Sequence, residues 1–168
     1  EARNEGIRMS SARYVQFLDA DDLWRSEKLQ RQIRQFESRP ELDLSVTYLQ
    51  NFWIAELKDE ETRFKGHRLS EPVPGYVTQT LLARRSAFDS VGLFNESLQV
   101  GDPTDWFLRA AERGLATEML SDVLVDRRMH ESNMSMQAGT RRMTSRMEDS
   151  MLRVVKASLD RRRLAHKH

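Results

Sequence analysis

The 168 residues suit a single domain of ordinary size. Lys and Arg number 27 against 26 Asp and Glu, a formal net charge of +1 that argues against a protein held to nucleic acid by a large overall positive field. The absence of Cys excludes disulfides, zinc–thiolate sites and thiol nucleophiles, and no apolar run approaches the roughly 18 residues of a membrane span.

The chain opens inside a helical pattern, with Ala2, Ile7 and Met9 on one face, and reads as a soluble, cytoplasmic piece of something longer. Tyr14-Val-Gln-Phe-Leu18 follows as a short β-type run that stops at Asp19-Ala-Asp-Asp22. Ser26 stands where an N-cap would, and Leu29, Ile33 and Phe36 recur at helical spacing until Arg39-Pro40. The carboxylates therefore fall in a strand-to-helix turn, the edge of an α/β sheet where sites gather. Residues 44–57 favour a strand, 58–74 an exposed loop, and 77–83 a second strand. A helix from Ser86 to Val91 comes next. Another is capped by Asp102 or Thr104, with Phe107, Leu108 and Ala111 inward and Gly114 closing it. Two β-type runs, 116–120 and 123–129, complete an α/β unit expected to span 1–138.

After Gly139 the character changes. Residues 139–168 hold nine Lys/Arg and three Asp/Glu. Met143, Met147, Met151, Val154 and Ala157 lie three or four apart, as on an amphipathic helix with a basic outer face. Weak contact with an anionic membrane surface is one use of such a face; a solvated helix is the plainer one.

The acidic turn carries the chemistry. Carboxylates crowded after an apolar strand repel one another unless a cation lies between them. Mg²⁺ or Mn²⁺, about 2.0–2.2 Å from an oxygen of Asp21, would resolve the conflict, and such ions leave positions for substrate phosphate. The same residues would equally serve as helix caps facing water.

The flanks resemble those of the family 2 glycosyltransferases of the GT-A fold. The likeness runs in order through Ala2-Arg-Asn4, Gly6-Ile7, Tyr14 to Trp24, Glu27-Lys-Leu29, Gln32, Pro72-Val-Pro-Gly75 and Arg84-Arg-Ser-Ala-Phe88. It continues through Val91-Gly-Leu-Phe-Asn-Glu-Ser-Leu98, Gly101-Asp102, Asp105-Trp-Phe-Leu-Arg-Ala110, Gly114 and Arg127-Arg-Met-His-Glu-Ser-Asn133. The resemblance implies a mixed sheet flanked by helices and inverting, metal-dependent transfer of a sugar. The donor would be a nucleotide-diphosphate sugar, and the acceptor a hydroxyl of a sugar or lipid-linked molecule. It places Asp21 and His130 at the metal, and Asp19, Asn4 and Arg3 near the donor nucleotide. The half of the family fold that holds the base would lie upstream of Glu1.

Asp102 and Asp105 are the candidates for the base. The family's usual Glu-Asp pair reads Asp102-Pro103 here, and Pro103 can neither accept a proton nor donate a backbone N–H. Trp106 would be an acceptor wall or a core residue, and Arg127 and Arg128 phosphate forks or strand flanks. Two rivals share some residues. A haloacid dehalogenase-type phosphatase would use Asp19 as nucleophile and Asp21 as acid/base. A non-catalytic module would use only its surface. Donor sugar, acceptor and oligomeric state are not legible.

Overall fold

A computed structural model describes residues 2–67, 70–98, 100–130 and 145–165. In chain order these form α1 (Ala2–Met9), β1 (Tyr14–Gln16), β2 (Leu23–Trp24), α2 (Lys28–Ser38) and β3 (Leu44–Trp53). A 3₁₀ turn (Ala55–Leu57), α3 (Lys58–Arg63), β4 (Val73–Pro74), β5 (Leu82–Arg84) and α4 (Arg85–Val91) follow. Then come α5 (Asp102–Glu112), β6 (Thr117–Met129) and α6 (Ser145–Ala165).

Among the described residues the sheet is mixed, in the order β1-β5-β3-β6-β2, with β4 added to β3. Its backbone is the long parallel pair of β3 and β6; the other pairings are antiparallel. This order puts β1 and β2 at opposite edges, although only residues 17–22 join them. The segment is not extended: a turn at residues 20–21 is closed by the Asp22 N–H donating to the Asp19 carbonyl at 3.2 Å, while its two ends run into the two edge strands. The acidic segment is therefore drawn across the end of the sheet, over the termini of the strands between.

The core lies between the sheet, α1, α4 and α5, where Ile7, Val15, Leu44, Val46, Leu81, Phe88, Phe94 and Trp106 pack together. Trp106 is a core residue, its indole N–H donating to the Gly92 carbonyl at 2.8 Å.

Several expectations shift. In α1 the buried face is Asn4 and Ile7, and Met9 lies in solvent. In α2 the apolar stripe turns inward only in part: Phe36 is buried and Ile33 packs beside it, but Lys28, Gln32 and Gln35 share the buried face and Leu29 is exposed. The reason is the polar start of β3. Gln32 Nε2 donates to the carbonyls of Ser45 (3.0 Å) and Thr80 (2.9 Å), while Ser45 Oγ donates to Gln35 Oε1 (2.5 Å). Buried carbonyls require donors, and that need outweighs one leucine. Ser26 does not cap this helix; its hydroxyl bonds Glu27 instead.

The segment 58–74 contains α3, whose first turn holds Asp59, Glu60 and Glu61, acidic side chains that suit a helix N-terminus. The strand expected over 77–83 shrinks to β5, because Thr80 Oγ1 bonds back to Val77 O at 2.9 Å and curls the preceding residues. Gly101, with φ +87°, takes the N-cap place of α5 without a side-chain cap, and Pro103 sits in the first turn, where its missing N–H is not needed. The two last β-type runs are one strand, β6, with two register shifts that leave Ser121, Asp122 and Leu124 outside the pairing with β3. Helix α6 packs on α5 through Val154 and Ser158. Met143 and the boundary expected at 138/139 lie outside the described residues.

Candidate active site

The crossing segment, fixed at both ends by strands, presents three carboxylates to three different neighbourhoods. Asp19 comes first. One oxygen accepts from Arg3 Nη2 at 3.1 Å and the other from Gln79 Nε2 at 2.6 Å. The same Arg3 guanidinium donates from Nη1 to Asp102 Oδ2 at 3.2 Å. Arg3 thus joins two carboxylates 83 positions apart along the chain. These three side chains rim a cleft of about 880 Å³ between α1, β1 and the 94–102 segment, which Phe17, Phe94 and Leu98 also line.

Asp21 turns the other way, toward the end of β6. Its Oδ2 lies 2.8 Å from His130 Nε2, and its backbone carbonyl accepts from Arg128 Nε at 2.9 Å. The hydrogen bond from His130 holds the Asp21 carboxyl below the usual carboxylate range. Both side chains are half-buried, so each can be reached from solvent.

Asp22 is the buried member. One oxygen accepts the backbone N–H of Arg128 at 3.0 Å and the other accepts from Gln79 Nε2 at 3.0 Å. Burial pushes its carboxyl upward, and the nearby charges of Asp21 and Asp19 act in the same sense. Asp22 therefore fastens the crossing segment to β6 and sets the separation at which Asp21 meets His130.

The remaining candidates are placed as follows. Asn4 is buried and its amide is a clamp, donating to Phe94 O (2.9 Å) and Glu96 Oε1 (2.7 Å) while its Oδ1 accepts from the Phe94 N–H (3.0 Å). It shapes the cleft wall by holding the 94–96 segment against α1. Asp105 is buried too, 2.8 Å from Arg109 Nε and 3.6 Å from Arg161 Nη2. Arg109 spends its other nitrogens on the carbonyls of Val91 and Leu93. Asp102, not Asp105, is the acidic residue of α5 among those lining the cleft. Arg127 is largely withdrawn, bonded to Asn51 at 2.8 Å.

Sequence reasoning passes over Gln79 and Asp22. Asp22 belongs to a visible acidic run, and its burial follows from its place just before an edge strand. Gln79 carries no sequence signal of its own; only the crossing of the sheet end brings it between Asp19 and Asp22.

Among the described residues no group of three or more His, Asp or Glu gathers as a metal cage. Asp21 and His130 are the two side chains here that could hold a divalent ion, with its other positions left to water and phosphate oxygens.

Comparison with known proteins gives the frame. No curated protein sequence matches the chain significantly. Solved structures that share its fold include Staphylococcus aureus TarS residues 1–349, the same segment in complex with UDP, and TarS itself. Each is 15% identical, with TM-scores of 0.56, 0.56 and 0.57, and the matches cover 75%, 76% and 76% of this chain. The chain spans 39% of the first two and 24% of the third. That likeness shows the fold, the mixed α/β architecture of GT-A glycosyltransferases. Residues 1–92 match the family described as Glycosyl transferase family 2, which is more than half of the sequence, and the chain belongs to that family.

Proposed function

We propose that the chain forms the metal-binding and acceptor part of a glycosyltransferase that moves a sugar from a nucleotide-diphosphate donor to an acceptor hydroxyl with inversion. One observation carries the reading. The crossing segment brings Asp21 within 2.8 Å of His130 and, through Arg3, ties Asp19 to Asp102 at the cleft. The GT-A fold and the family match set aside the phosphatase alternative.

In this reading Asp102 is the base. The acceptor oxygen bonds to the anomeric carbon, the bond from that carbon to the diphosphate oxygen breaks, and Asp102 takes the hydroxyl proton. Arg3, already between Asp19 and Asp102, is the cation that meets the donor's diphosphate. Asp21 and His130 would hold Mg²⁺ or Mn²⁺, which supplies Lewis acidity toward the leaving diphosphate. Asn4 maintains the cleft wall, and Asp105 holds α5 against the Val91–Leu93 backbone. Cytoplasmic location, where nucleotide sugars are made, belongs to the same reading.

Calorimetry with Mn²⁺ and UDP tests it. The expected result is heat of binding that Asp21→Asn and His130→Ala each abolish. Binding that survives both substitutions overturns the assignment.

A further inference from the structure

Helix α6 has two working faces. Inward, Val154 and Ser158 are buried, Ser158 Oγ donates to Glu112 at 2.7 Å, and Arg161 bonds Glu112 at 2.5 Å. These contacts fix the helix's rotation, so its opposite face cannot roll into the core. On that face Leu152, Val155 and Leu159 are 66%, 51% and 50% exposed. Their spacing of three and four residues makes one stripe along two turns. At 100° per residue on the helical wheel, Arg163 and Lys156 stand roughly 50° and 70° from its centre, on the stripe's flank, and Glu148 stands near the centre.

We propose that this face of α6 docks the chain on an anionic lipid surface. Charge is what selects the occupant. Within α6 six Lys and Arg stand against three Asp and Glu, in a chain whose formal net charge is +1, so positive charge is concentrated on the helix that carries the apolar stripe. A basic, amphipathic helix lying flat combines burial of its aliphatic side chains with attraction to acidic headgroups, at about 1 kcal/mol per basic residue near the surface. The aliphatic stripe is too short to supply the roughly 1,200 Å² of a stable protein interface. Among the described residues no helix is long and apolar enough to cross a membrane, so the contact is peripheral.

The docking has a consequence for the cleft. A methyl placed on Gly101 would meet Met151 Sδ at 2.9 Å and Val154 Cγ2 at 3.5 Å, so α6 is seated directly on the residue before Asp102. A lipid-bound α6 holds the cleft rim beside the headgroups. The inference does not depend on the sugar-transfer reading, and its test reads lipid binding alone.

Flotation of the full chain with vesicles of phosphatidylcholine, with or without phosphatidylglycerol, is the experiment. The expected result is co-flotation only with phosphatidylglycerol present, weakening as salt rises. Leu152→Glu with Leu159→Glu abolishes it, and Lys156→Glu with Arg163→Glu weakens it more than about tenfold. All four positions are exposed, so melting temperature stays unchanged. Equal or absent flotation with both vesicle types overturns the proposal, as does retained binding by the double-Glu variant. A concentration-dependent dimer by light scattering, lost in that variant, also overturns it and gives the face to a second copy.

Discussion

Gln79 and Asp22 are joined at 3.0 Å by one hydrogen of an amide whose other hydrogen goes to Asp19 at 2.6 Å. A single neutral side chain thus separates two carboxylates that would otherwise repel one another, and its backbone carbonyl is pinned by Trp24 Nε1 at 2.9 Å. Because that pin uses main chain, a side-chain substitution removes the amide alone.

Gln79→Leu is expected to leave Asp22 buried with one acceptor unmet, a loss of about 1–3 kcal/mol. Equilibrium urea unfolding measures it. The same variant should weaken Mn²⁺–UDP binding about 10–100-fold, the usual effect of removing a partner that orients a ligand-bearing segment. Gln79→Glu, which adds a third carboxylate, should be worse on both counts. A Leu variant with wild-type stability and binding would show that the carboxylates need no separator.

Asp21 and Asp22 are neighbours with separable roles. Asp21→Ala removes the partner of a half-buried His130 and should lower Mn²⁺ affinity by more than about tenfold with little change in stability. Asp22→Ala strips the Arg128 backbone N–H of its acceptor beneath the turn and should cost about 1–3 kcal/mol of stability. Manganese titration by electron paramagnetic resonance, set beside thermal melts, distinguishes the two. If both substitutions act on stability alone, the metal role of Asp21 fails.

Part of this was legible in the residues and part was not. The acidic turn, its strand and its helix follow from a β-type run that ends in carboxylates, and the pairing of Asp21 with His130 follows the family resemblance. The inward face of α2 was legible only in part, through Phe36 and Ile33. Local periodicity sees Leu29, Ile33 and Phe36, but what decides the rotation is the set of buried carbonyls at Ser45 and Thr80, which only tertiary contact creates. Asn4 and Asp105 illustrate the same limit. A polar residue in a family motif reads as a ligand contact until the backbone it fastens is known. Phe94 occupies that place for Asn4, and Arg109, with the Val91 and Leu93 carbonyls behind it, for Asp105.

Lys28 gives a pH signature. Its Nζ lies 2.7 Å from Gln32 Oε1, 3.2 Å from Gln16 Oε1 and 4.7 Å from the Trp24 ring centroid, and among the described residues no carboxylate is bonded to it. Burial pushes the ammonium down from 10.5 to about 7. The folded value lies below the unfolded one, so between those limits the unfolded chain binds more protons and stability rises with pH. The slope approaches about 1.4 kcal/mol per pH unit at most, and the glutamine oxygens and Trp24 face reduce it. Lys28→Met should erase the slope, so that wild type gains on the variant between pH 7 and pH 10 in urea titrations. Parallel curves would mean that Lys28 keeps its proton throughout.

Glu112 gives a dependence of the same sign in the acid range, and localises it. Burial raises its pKa, but hydrogen bonds from Arg161 and Ser158, with the charges of Arg161 and Arg162, outweigh burial and bring the carboxyl below 4.5. The stabilisation is complete above the unfolded value and is lost as pH falls through the folded one. Since Glu112 is where α6 is fastened to α5, the loss should appear as release of α6 and not as global unfolding. Hydrogen exchange over residues 145–165 should accelerate as pH drops below 4.5, after correction for intrinsic rates. Glu112→Gln should show the faster exchange already at neutral pH, by about 1–3 kcal/mol in opening free energy. Arg161→Lys, which keeps charge but loses the guanidinium fork, should fall between. Exchange that quickens equally in β3 and β6 would instead make Glu112 a support of the whole domain.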